Sequence, residues 1–258
     1  DHRDLHYPLR RQRQMCIRDR AYGVVRGINP MLTPEERKDA IKGVPDGLIL
    51  LNELIDERRK NPGDDFLSTL ISAEDQGSKL SNLEMCALVG AVLGAGSDTA
   101  VDLHSYLIKT LLQHPDQLDA LKKDESLVQG AISETLRYES SGKTGLARYA
   151  SEDIELNGHE IKKGQMVQLI TSTAGMDPKI YDNPRKFDIR RDHDKSISFG
   201  QGPHYCIGVT LVRSQTEVML KELFKRFPNL SLGNKIVYDY DHHNARRMDV
   251  MTVQTNLN

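Results

Sequence analysis

The sequence predicts a mainly α-helical protein with a small antiparallel β region, on three observations. The stretch 81–113 opens on the capping-box pattern Ser81-Asn-Leu-Glu84, contains no proline and is apolar on nearly every face from Cys86 to Ala95. Residues 144–170 alternate in polarity and carry turn pairs at Asn157-Gly158 and Lys163-Gly164. Residues 207–226 repeat apolar side chains at helical spacing: Val209, Leu211, Val212, Val218, Leu220, Leu223 and Phe224.

Taken in order, residues 33–60 read as helical with breaks. Thr33-Pro34-Glu35-Glu36 supplies an N-cap, a first-turn proline and acids near the positive dipole end. Leu48, Leu51, Leu54 and Ile55 form a stripe that ends in Arg58, Arg59 and Lys60, before Asn61-Pro62-Gly63 breaks it. A short helix is expected over 65–74. The long helix over 81–113 would measure about 50 Å at 1.5 Å per residue and should cross a protein interior. Helical patterns continue at 115–123 and 126–139. Residues 177–205 read as loop, and the end of the chain as short strands.

Composition narrows the function classes. The 258 residues suffice for one large domain or two small ones. A net charge of −2 gives no nucleic-acid footprint. Cys16, Cys86 and Cys206 lie far apart, with no C-x-x-C pair, so neither a disulfide framework nor a zinc site is indicated, and a reducing, cytoplasmic setting fits. The apolar run after Cys86 is closed by Asp98, short of the roughly 20 residues a membrane span needs, and no signal-peptide pattern is present. Residues 1–20 carry six Arg against three Asp and lack any period. They read either as a basic arm for an anionic partner or as a non-native leader. The second reading is preferred, because the end MCIRDR resembles translated adapter sequence.

The strongest chemical signal is Phe199-Gly-Gln-Gly202-Pro-His204-Tyr-Cys206-Ile-Gly208. Glycines at 200, 202 and 208 let backbone approach a flat ring closely. A cysteine just ahead of a helix lies at its positive end, which favours thiolate. Alone, a single cysteine is more often a small buried hydrophobe; the glycine spacing and the helix that follows reverse that. The string resembles the F-x-x-G-x-[RH]-x-C-x-G signature of the cytochrome P-450 superfamily.

Two further strings support the resemblance. Ala95-Gly96-Ser97-Asp98-Thr99 is similar to the family's oxygen-activation motif, with Ala100 where a second hydroxyl often stands. Gly96 weakens the helix there and should allow a bulge or kink. The bland alternative has Thr99 merely bonding a carbonyl one turn back. Glu134-Thr-Leu-Arg137 matches the family's E-x-x-R pair, which is buried and joined by a downstream arginine; spacing favours Arg191. A proline expected soon after Arg137 is replaced by Ser140-Ser141-Gly142.

The resemblance runs from about residue 22 to 235. It implies the carboxy-terminal part of the cytochrome P-450 fold: a partial domain over 21–258 with a haem-ligand loop at 199–208. It implies a haem-thiolate monooxygenase that inserts one atom of dioxygen into a small hydrophobic substrate. The cofactor is haem b, with Cys206 on iron and His204 and Arg148 toward the propionates. Phe199, Gly202, Gly208, Ala95 and Gly96 would border the ring. Asp98 and Thr99 would relay protons, and Glu134, Arg137 and Arg191 would hold the ligand loop. Ala91, Gly94 and Ala95, with residues 143–146, would face substrate. Electrons would come from NAD(P)H through a ferredoxin- or flavodoxin-type carrier, since no dinucleotide motif is present. Members of the family are longer at the amino end, so a fragment that binds haem poorly and turns over little is expected. A non-catalytic haem-binding or structural remnant is the alternative. Peroxide-driven oxidation is disfavoured by the intact Asp98-Thr99 pair.

Overall fold

The computed structural model describes residues 32–73, 80–140, 145–239 and 246–255. The leader, residues 21–31, Ser141-Gly142 and residues 143–144 lie outside them. Contacts divide the chain into two compact units, Asp1–Thr99 and Ala100–Asn258.

In the first unit, α1 (Pro34–Ala40) starts as its sequence requires. The Thr33 hydroxyl accepts from the Glu36 N–H at 3.2 Å, and the Thr33 N–H donates to the Glu36 carboxylate at 2.8 Å. The expected break follows, and α2 runs Val44–Lys60. Helix α3 (Phe66–Ser72) is capped by Asp65, whose carboxylate accepts from the Ser68 N–H. The same carboxylate receives the Arg58 Nε at 2.5 Å, tying α3 back onto the end of α2. Helix α4 covers Asn82–Gln113 and is entered by the expected Ser81/Glu84 capping box. One stripe of its first half, Met85, Cys86 and Val89, packs with Ile55, Leu48, Leu51 and Leu67.

Within the segment expected to cross a protein interior, Leu88, Val92 and Leu93 are exposed, because the described helices of this unit supply partners for one stripe only. By length and composition alone α4 would pass for a membrane span. Its sequence argues for a core helix instead: Asp102 and Lys109 are buried within it, and ionised groups are costly in lipid.

In the second unit, Leu103, Leu107 and Leu111 of α4 pack with Leu118 and Leu121 of α5 (Pro115–Lys123). Ala131 and Ile132 of α6 (Val128–Tyr138) join the same core, as do Phe187, Ile189 and Leu220. The loop carrying Ile189 touches α6 so closely that a Cβ on Gly130 would overlap the Ile189 carbonyl oxygen. The β region forms two separate ribbons rather than one sheet. Strand β1 (Leu146–Tyr149) pairs with β4 (Met166–Leu169), and β2 (Ile154–Leu156) with β3 (His159–Ile161), all antiparallel. Asn157-Gly158 makes the predicted tight turn, with both residues at positive φ. A single helical turn, α7 (Thr171–Ala174), leads into the loop region.

The final helix α8 runs Val209–Arg226, two residues later than expected, because Gly208 serves as its N-cap. Its Thr216 meets His104 of α4 at 2.9 Å. The end of the chain forms a hairpin longer than foreseen, β5 (Ser231–Asp239) with β6 (Arg247–Gln254). Arg246, just before β6, lies over the rings of Tyr106 and Tyr238, each 5.3 Å from its guanidinium carbon. It also pairs with Glu139, which in turn holds the buried Lys109.

Candidate functional site

The cysteine loop is built by short-range backbone bonds. Gly200 N–H donates to Ile197 O, Tyr205 N–H to Gly202 O, and Cys206 N–H to Phe199 O at 3.0 Å. Gly200 and Gly202 adopt φ of 77° and 70°, a region closed to most side chains. A 3-10 turn over Gly202–His204 then delivers Cys206, and α8 begins three residues on. The sulfur is half-buried, in contrast to Cys86, which is 1% exposed and whose thiol is pushed up by burial. A Cβ on Gly208 would sit 3.9 Å from the Cys206 Sγ, so the glycine keeps backbone close beside the sulfur. Tyr205 and Ile207 flank it as exposed side chains, Ile207 at 93%. His204 is exposed as well. Arg148, on β1, is exposed, and its guanidinium bonds Ala147 O. The Phe199 ring is half-buried against the Arg213 guanidinium, 5.3 Å away.

Beside this loop lies a buried polar cluster. Glu134 and Arg137 are fully buried and joined twice: Arg137 Nε to Glu134 Oε2 and Nη2 to Oε1, both at 2.7 Å. The i, i+3 spacing on α6 sets up this fork. Arg191 adds its Nε to Glu134 Oε1 at 3.3 Å, and the Asp188 N–H donates to the same oxygen at 2.9 Å. The remaining donors reach loop carbonyls: Arg137 to Gly175, Pro184 and Lys186, and Arg191 to Asp182, Asn183 and Lys186. The structure thus brings together the three residues singled out for this role.

Sequence reasoning missed His193. Its Nε2 lies 3.5 Å from Glu134 Oε2, and both ring nitrogens are buried without a hydrogen-bond partner. Burial pushes His193 below its ordinary value, with the nearby Glu134 charge opposing. No sequence signal marks it, since the contact depends on how the 188–193 loop folds back onto α6.

In the first unit the Ala95–Thr99 string stays α-helical without interruption. This corrects the expected bulge at Gly96. Thr99 Oγ1 donates to Ala95 O at 2.6 Å and Ser97 Oγ to Leu93 O at 2.5 Å, the one-turn back-bonding foreseen as the bland alternative. No extra residue is inserted, so the i to i−4 ladder closes across the glycine.

A cytochrome P450 family model matches residues 35–235. The chain belongs to the cytochrome P450 family. It is 39% identical over 235 residues to an epothilone C/D epoxidase of Sorangium cellulosum, covering 91% of this chain and 55% of the relative. It is 38% identical to the polyketide biosynthesis cytochrome P450 PksS of Bacillus subtilis, covering 70% of this chain and 45% of that one. A crystal structure of epothilone D-bound P450epoK superposes with a TM-score of 0.87 at 36% identity, over 95% of this chain and 61% of that one. The chain therefore spans about half the length of these curated relatives. The P450 family implies haem b as cofactor, and the loop described above is chemically compatible with it. It offers a half-exposed thiol, glycine backbone beside the sulfur, and an exposed His204 as a hydrogen-bonding group for a carboxylate.

Proposed function

We propose that the complete protein is a haem-thiolate monooxygenase, and that residues 21–258 are its partial carboxy-terminal P450 domain. The overall reaction places one atom of dioxygen in an organic substrate and reduces the other to water, using two electrons and two protons. Bound haem supplies the activation of dioxygen, with thiolate ligation favouring O–O cleavage. In this reading Cys206 is the metal ligand, and Gly202 and Gly208 admit the ring edge. Phe199 shields the sulfur from water, and Arg148 and His204 bind the propionates. Ala95 and Gly96 keep the helix surface low enough for a ligand to approach. Asp98 and Thr99 would relay protons, Thr99 from its hydroxyl once that group turns from Ala95 O. Glu134, Arg137 and Arg191 hold the loop chain in register without touching the cofactor.

The single observation that carries this reading is the half-buried Cys206 thiol on a glycine-bent loop at the head of α8. The relatives' names support a polyketide-type substrate, and NAD(P)H would act through a ferredoxin- or flavodoxin-type donor. A cytoplasmic location belongs to the same proposal. The test is a reduced carbon-monoxide difference spectrum on a version extended to the relatives' length. A strongly red-shifted Soret band is expected, and it should revert to an ordinary band in Cys206→His. An ordinary band in the unaltered protein would defeat the proposal.

A further inference from the structure

A cavity of about 530 Å³ opens in the second unit between the cysteine loop, α6, α8 and the 193–196 segment. Such a volume falls within the range of small-molecule sites. Its lining contains one group whose bonding is incomplete, Arg213 of α8, half-buried. Its Nη1 donates to Gln129 O and Oε1 and its Nη2 to Ser133 Oγ, all neutral acceptors. Two of its five N–H donors remain, and it forms no ion pair among the described residues. His193 also lines the cavity, but its ring nitrogens are buried, with Nε2 3.5 Å from Glu134 Oε2.

A half-buried guanidinium without a counter-charge is costly, and its fork geometry matches a carboxylate or phosphate. The wall behind His193 reinforces the sign, since Glu134 there faces both Arg137 and Arg191, one carboxylate against two cations. Asp194 at the exposed rim is the opposing charge. The Gln201 amide, exposed on the same lining, adds a neutral donor.

We propose that this cavity is an oxyanion-binding site, with Arg213 gripping a carboxylate or phosphate group and the Gln201 amide completing its hydrogen bonds. Cys206 does not line it, although Phe199 and Gly202 of the cysteine loop do. The test uses the 258-residue chain, titrated separately with inorganic phosphate and with acetate against sodium chloride of equal ionic strength. Backbone amide and histidine ring shifts are followed by NMR. Saturable shifts centred on Gly200–Gly202 and His193 are expected with at least one oxyanion and not with chloride. Arg213→Gln should weaken that binding roughly tenfold or more, the scale of a lost charge-assisted fork. If that variant does not fold, Arg213→Lys, which keeps charge but loses the fork, should weaken it measurably. Absence of saturable shifts, shifts confined to other surfaces, or undiminished affinity in the variants would overturn the proposal.

Discussion

The Glu134 cluster and the cysteine loop sit in the same unit and differ in what holds them. The cluster is buried, and Glu134 Oε1 alone receives three donors: Arg137 from its own helix, and Asp188 and Arg191 from one segment distant in sequence. The loop is half-exposed and is shaped by backbone bonds spanning a few residues. The difference shows that the chain specifies the frame by tertiary ion pairing and the ligand segment by local turn geometry. Damage to the frame should therefore cost folding, whereas damage to the loop should cost shape.

The largest effect is expected for Glu134→Ala. It strands two guanidiniums, one fully buried, and breaking a buried pair costs about 3–5 kcal/mol. Urea denaturation should show cooperative folding lost or nearly so; retention of near-normal stability would break the comparison. Glycine substitutions sharpen it at smaller scale. Gly130→Ala drives a methyl into Ile189 O beside the cluster and should cost about 1–3 kcal/mol in the same measurement. Gly202→Ala meets open space but a φ of 70°, and should cost about 1 kcal/mol. Gly208→Ala has an ordinary φ and contact, and should leave stability nearly unchanged.

A half-buried pair in the first unit serves as a reference for both regions. The Ser68 N–H and the Arg58 guanidinium hold the Asp65 carboxyl down to about 2. Because the folded value lies below the ordinary ~3.9, the folded state favours the ionised form. That contribution is complete above the ordinary value and is lost as pH falls through about 2. Asp65→Asn should therefore flatten the pH dependence of stability between about pH 4 and 2, read by denaturation at each pH. An unchanged slope would show that the cap and the ion pair contribute nothing there.

Much of this was legible in the sequence, for identifiable reasons. Helix starts at Thr33 and Ser81 follow from side chain-to-backbone bonds within four residues, which sequence displays directly. The Glu134–Arg137 pair is likewise a matter of helix spacing. Arg191 was found through family resemblance, because nothing local binds it to a residue so far away. His193, the Arg213–Phe199 stack and the carbonyls that receive Arg137 depend on loop paths that carry no periodic signal. Gly96 was not legible: a glycine permits a bulge, and the sequence does not display which carbonyls the neighbouring hydroxyls bond. Here Ser97 and Thr99 both close onto the preceding turn.

Arg246 gives the last hairpin an importance its place in the chain conceals. Wedged between two tyrosine rings and sharing Glu139 with Lys109, it rivets the tail to the carboxy-terminal part of α4. A stop codon at position 246 would remove few residues. It would also leave Glu139 with one cation instead of two and uncover Tyr106, so the carboxy terminus is a poor place to trim.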